Sequence, residues 1–157
     1  MIQRSKQLFE RLMKEIDGQP KEASYILKNE YYYRFAKYRE QYELGLCGVN
    51  EFGSRCFLGY YSQGVGAANY ARKLLEIGNK QLALDYAQKA LIAWAQYFTY
   101  KNDYYNPYVH YALALGILGY KEEMMRALRR SASIINQNLC YHEFKDVIDF
   151  IEKIEKK

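Results

Sequence analysis

The whole supply of imidazole and thiol in the 157-residue chain is His110, His142, Cys47, Cys56 and Cys140. A Cys–His nucleophile needs both side chains within hydrogen-bond reach. The one close pair, Cys140 and His142, stands at i and i+2, which on a helix points the side chains about 200° apart. A zinc site needs four ligands at recognisable spacing, and no second Cys or His pair accompanies this one. Buried structural thiols are therefore the default reading of the cysteines, and no metal or cofactor is expected. Glu76, Asp85 and the pair Glu122-Glu123 are carboxylates at ordinary helix-surface positions. Glu122-Glu123 suits a helix start, where the dipole favours negative charge. Gly64-Val65-Gly66 lacks the third glycine and the preceding strand of a phosphate-binding loop. Arg126, Arg129 and Arg130 make a basic stripe that reads as a solvated face, with an acidic or phosphate-bearing partner as the alternative. This inventory supplies no catalytic residue, and the expectation is a protein that is not an enzyme.

Tyrosine is the compositional outlier, with 18 copies. It buries a large ring while keeping a polar tip, which suits half-buried faces and recognition surfaces. The clusters are Tyr31-Tyr32-Tyr33, Tyr60-Tyr61 and Tyr104-Tyr105 with Tyr108. Three consecutive tyrosines cannot all face one helical core, so at least one of Tyr31–Tyr33 is expected to be partly exposed. Wedging long helices apart in a leucine-poor core is the competing role. The net charge of +5 is spread along the chain, without the concentrated basic stripe of a nucleic-acid binder. An odd number of scattered cysteines fits a reducing compartment. Charges interrupt every apolar run of the first 16 residues, so neither a secretory signal nor a membrane span is expected there. The expectation is a soluble cytoplasmic protein without membrane or nucleic-acid partners, in one domain spanning 1–157.

These residues must be positioned by helices. Only Pro20 and Pro107 interrupt the chain, and an interior proline would remove a helix hydrogen bond. The spacing predicts an all-α fold of about seven helices. The first covers about 2–16, with Leu8, Phe9, Leu12 and Ile16 on one face, and Asp17-Gly18-Gln19-Pro20 ends it. The second runs over about 21–45, with a stripe at Leu27, Tyr31, Phe35, Tyr38, Tyr42 and Leu46. Three glycines between Gly45 and Gly53 predict the clearest internal break. A helix from about Ser54 to Ile77 follows, with a break near Gly64 as the competing reading. A helix from Asn79 to about Tyr100 comes next, followed by a helix pair over residues 108–134 that turns at Gly119. The last, about 141–156, carries Phe144, Val147, Ile148, Ile151 and Ile154 on one side and charges on the other, as a cap would. A partner-binding helix is the rival reading of that segment. The parts are an N-terminal helix pair (1–46), two helix pairs (54–136) and the capping helix (141–156).

The two middle pairs share a grammar. Ahead of Gly78 stand Ala67, Tyr70, Ala71 and Leu74; ahead of Gly119 stand Tyr108, Tyr111, Ala112 and Leu115. After the glycines, Ala83, Ala87 and Ala90 match Met124, Leu128 and Ser131. Both glycines are expected at helix–helix turns, where the left-handed conformation ends a helix. Trp94, on the alanine face, is expected between layers. An internal repeat of this size is the signature of stacked helix pairs.

Over residues 64–136 the chain resembles the tetratricopeptide repeat family. The match is carried by Tyr70, Ala71, Leu74, Gly78, Ala83 and Ala90 in the first unit, and by Tyr108, Ala112, Gly119 and Leu128 in the second. Ala67, Ala87, Met124 and Ser131 depart from the pattern, the closing proline is missing, and the spacing exceeds the usual repeat of about 34 residues. The resemblance implies an antiparallel helical-hairpin solenoid or bundle whose first helices line a concave groove. That face carries Ala68, Asn69, Arg72 and Glu76 in one unit, and Asn106, Val109, His110 and Leu113 in the next. A partner-binding groove is therefore expected at Asn69, Arg72, Glu76 and His110, joined by Tyr105 and Tyr108. The function so implied is a protein- or peptide-binding scaffold. The first alternative is a dedicated partner-neutralising protein or chaperone of the bacterial immunity or secretion-chaperone type, and an enzyme or nucleic-acid binder ranks behind both.

Overall fold

A computed structural model describes residues 2–53, 56–135 and 141–156, with the side chains of 2, 3, 5 and 141–144 left out. All of its regular structure is helical: α1 (Ile2–Asp17), α2 (Lys21–Arg34), α3 (Tyr38–Phe52), α4 (Phe57–Glu76), α5 (Lys80–Tyr100), α6 (Tyr105–Ile117), α7 (Lys121–Ile135) and α8 (Tyr141–Glu155). The architecture is an all-α stack of helices. Helix α4 is its axis, packed against α3, α5 and α6; α7 pairs with α6, α8 lies on α6, and α1 packs chiefly on α2.

Gly78 and Gly119 occupy the expected turns, at φ 86° and 88°. Each closes its helix with the same two bonds. At the first, Gly78 N donates to Leu75 O and Asn79 N to Leu74 O; at the second, Gly119 N donates to Gly116 O and Tyr120 N to Leu115 O. This pairing satisfies the last carbonyls of a helix around one left-handed residue. Asn79 then caps α5, its side chain accepting from Leu82 N.

The expected long helix over 21–45 is instead two. It stops at Phe35, and Ala36 takes φ 54°, the left-handed region, with no glycine to ease it. Ala36 N donates to Tyr33 O and Lys37 N to Tyr32 O, which is the same closing pattern as at Gly78 and Gly119. The turn residues 36, 78 and 119 are thus 42 and 41 residues apart. The expected break at Gly45–Gly53 shrinks to its end, because α3 runs through Gly45 and Gly48. Both glycines are buried, and both stand where Ala87 and Ala90 stand relative to their turn. Three hairpins, α2/α3, α4/α5 and α6/α7, therefore share one turn and one spacing. Gln41, Gly45 and Gly48 correspond to Ala83, Ala87 and Ala90.

Close approach explains the glycines. A Cβ on Gly45 would stand 2.5 Å from Gly59 O, and one on Gly66 2.5 Å from Tyr42 N. Helix α4 continues unbroken through Gly64, whose Cβ would overlap the indole of Trp94. Trp94 is fully buried, as are Ala83, Ala87 and Ala90. Tyr61, Tyr97 and Phe98 pack around it, with ring centroids 5.9, 5.4 and 5.9 Å away. Val147, Ile148 and Ile151 of α8 are buried in the same core. Cys140 and the side chains of His142 and Phe144 lie outside the described residues.

Candidate functional site

The expected groove residues separate into a buried group and a peripheral one. Asn69, Arg72 and His110 are 0%, 4% and 1% exposed. Asn69 Nδ2 lies 3.0 Å from His110 Nδ1 and donates to Val65 O at 2.9 Å. Arg72 Nη2 lies 3.4 Å from both Asn69 Oδ1 and the hydroxyl of Tyr38. Its Nη1 meets the half-exposed Glu76 at 3.2 Å, and its Nε is buried without a partner. Tyr33 sets its ring perpendicular to the His110 ring at 5.8 Å. The turn between α2 and α3 thus brings Tyr33 and Tyr38 against the place where an open groove was expected, and Asn69, Arg72 and His110 form a polar core instead. Burial, reinforced by the Arg72 charge, lowers the His110 pKa to about 3, so the ring is neutral.

Tyr105 and Tyr108 lie apart from that core and are half-buried. Tyr108 stacks on Phe98 at 4.6 Å, donates its hydroxyl to Asn102 O, and carries the Arg130 guanidinium over its ring. Tyr105 accepts from Ser131 through its backbone carbonyl and sets its ring against Tyr104. Arg126, Arg129 and Arg130 are exposed, as a solvated stripe would be. Tyr31 is buried while Tyr32 and Tyr33 are half-buried, as three neighbours on a helix must be. The cysteines depart from the buried default: Cys47 is exposed and Cys56 half-buried, both as free thiols. Among the described residues no group of three or more His, Cys, Asp or Glu could hold a metal ion, and no helix is long and apolar enough to cross a membrane.

An open concavity lies elsewhere, between α2, the start of α4 and the end of α5. Two adjoining hollows of about 260 and 280 Å³ share Tyr25, Ile26, Phe57 and Leu58. Tyr61, Tyr97 and Tyr104 wall the first, with Asn29 and Ser62 at its base and Glu30 and Lys101 at its edges. Phe52, Cys56 and Glu22 complete the second. Large apolar side chains are left open to water here: Ile26 is 49% exposed, Phe57 39% and Leu58 39%. A relay of hydrogen bonds fixes the floor. The Tyr25 hydroxyl lies 2.9 Å from Ser62 Oγ, which donates to Asn29 Oδ1 at 2.7 Å; Gln41 Nε2 donates to the same oxygen at 3.0 Å. Tyr61 donates to Asn106 Oδ1 at 2.8 Å. Desolvation raises the Tyr25, Tyr61 and Tyr97 hydroxyls, Tyr97 to about 12, so all three stay protonated near neutral pH. These groups give shape, apolar area and neutral hydrogen bonds, which is the chemistry of recognition.

Sequence reasoning missed this cleft because Ile26, Phe57 and Leu58 fall on none of the faces that periodicity picks out. One signal was available. Ile26 and Leu27 are adjacent and precede three tyrosines, which is more apolar circumference than one helix can bury on one side.

No protein-family profile matches the chain, and comparison with curated proteins and with solved structures gives no match either.

Proposed function

We propose that this chain is a protein-binding scaffold, and that it takes a segment of another protein in the cleft between α2, α4 and α5. The observation that carries the reading is the exposure of Ile26, Phe57 and Leu58, which together line an aromatic-walled cleft. A contiguous apolar surface held open to water costs solvation free energy of about 25 cal/mol per Å², and such patches mark interaction sites. The buried tyrosine hydroxyls hold the cleft walls in place through side chains of neighbouring helices, so the site is formed before a partner arrives. Kinship with the tetratricopeptide repeat family belongs to the same proposal. Its support is the shared turn at residues 36, 78 and 119, at near-equal spacing. Here the chain's own Tyr33 and Tyr38 cover the polar residues that the family's groove would display, and recognition moves to the cleft.

Affinity purification with the wild-type chain and with a Phe57→Ser/Leu58→Glu double variant tests the reading. Both positions are exposed enough for the variant to keep its helical circular dichroism. A partner captured by the wild type and lost by the variant supports the cleft. A partner captured equally by both sinks it.

A further inference from the structure

The cleft differs in sign from the rest of the chain. The molecule carries +5, yet Glu22 and Glu30 flank the exposed Ile26 on α2 at steps of four residues, so all three lie along one stripe of the helix. Eight residues of helix place the two carboxylates about 12 Å apart along the axis. Two lysines of α2 are engaged by other carboxylates: Lys21 pairs with Glu51 and Lys28 with Asp17, each at 2.6 Å. Glu30 meets Arg34 loosely, at 3.7 Å, between two exposed side chains. Glu22 makes no ion pair among the described residues. Lys101 is the opposing charge at the cleft, and it lies over the Tyr104 ring at 5.9 Å.

Resting on the binding reading above, we infer that the segment docked in this cleft is an amphipathic helix carrying a basic residue four positions to either side of a large apolar one. The apolar residue meets Ile26, Phe57 and Leu58, and the two cations meet Glu22 and Glu30. A helix laid along α2 repeats at the same pitch, so the acidic–apolar–acidic stripe selects a basic–apolar–basic one. The carboxylates also set a preference that the whole-molecule field opposes, because a chain of net charge +5 attracts acidic peptides at long range.

The test uses the full chain and two labelled synthetic peptides of about 18 residues. Both carry leucine along one helical stripe, one with lysine and the other with glutamate at the flanking positions. Fluorescence anisotropy near physiological ionic strength, where long-range attraction is screened beyond about 8 Å, should show the lysine peptide binding about tenfold or more tightly. Glu22→Lys/Glu30→Lys should abolish or reverse that preference with unchanged circular dichroism. Equal binding, or preference for the glutamate peptide, overturns the inference. So does self-association of the chain that Phe57→Ser abolishes, since the occupant is then a second copy. Failure of both peptides to bind, alongside a partner still lost on Phe57→Ser/Leu58→Glu, overturns the helical occupant and leaves the binding reading standing.

Discussion

Asn69 and His110 stand nine residues before Gly78 and Gly119, at the same place in successive hairpins, and they are joined to each other with Nδ2 3.0 Å from Nδ1. The Asn69 amide also donates to Val65 O. With both its hydrogens used inside, His110 Nδ1 must accept, which assigns the ring proton to Nε2. Protonation would set one donor against another and add a positive charge beside Arg72. The α4–α6 seam is therefore held by a histidine that must stay neutral.

That requirement gives stability a pH dependence. The folded pKa of about 3 lies below the ordinary histidine value of 6.5, so the unfolded chain binds more protons between these values. The contribution is fully present above about pH 6.5 and is lost as pH falls toward 3. Chemical denaturation from pH 7 to 4.5 should show a falling stability with a slope approaching about 1.4 kcal/mol per pH unit from this group. His110→Gln should flatten that part of the slope. An identical slope in the variant would remove His110 as its source.

The turns allow a paired exchange. Ala36 holds a left-handed φ at a cost of roughly 1–2 kcal/mol, partly offset in glycine by backbone entropy of about 0.5–1 kcal/mol. Ala36→Gly should therefore raise stability by up to about 1 kcal/mol. Gly78→Ala and Gly119→Ala should each lower it by about 1 kcal/mol, since a Cβ there meets nothing within 4 Å and only the backbone pays. Urea midpoints moving in the same direction for all three would contradict a common turn.

Trp94 is the only tryptophan and reports on its own surroundings. Its emission should be that of a water-excluded indole, and Trp94→Ala should cost about 3–5 kcal/mol. Trp94→Phe should cost much less, because the indole Nε1 is buried without a hydrogen-bond partner and its removal breaks no bond. Gly64→Val should force the indole aside, at about 1–3 kcal/mol. A red-shifted emission in the wild type would contradict this packing.

The α3–α4 seam should be equally intolerant. Gly45→Ala places a methyl 2.5 Å from the Gly59 carbonyl oxygen, which is backbone and cannot swing away. The two helices must separate, and thermal unfolding should show a loss of about 1–3 kcal/mol. Gly53→Ala should behave differently. It meets no neighbour, and its cost comes only from its φ of 86°.

Much of the fold was legible because glycine and alanine mark two of the three turns and their faces. Gly78 and Gly119 announce themselves; Ala36 carries no such mark, and its turn is set by the packing of α2 and α3 rather than by residue type. Gly45 and Gly48 misled for the opposite reason. Glycine usually interrupts a helix, but here it admits α4 and the Tyr25 ring at close range. Asn69, Arg72 and His110 were legible as neighbours, since equal spacing aligns them. What covers them was not, because periodicity gives a residue's face and not what comes to lie against it. Tyr33 and Tyr38 arrive from a turn that the sequence does not announce.

The pattern of helix contacts also bears on how the chain acquires its structure. The substantial helix pairings join each helix to the next along the chain or to the next but one. Loop closure between such neighbours costs little entropy, and chains built this way fold in microseconds to milliseconds rather than seconds. The α2/α3 and α4/α5 hairpins make their turns and their shared seam without any residue beyond Tyr100. A ribosome releasing this chain therefore frees its first hairpins to assemble in order, each offering its successor a finished surface before the last helix has been made.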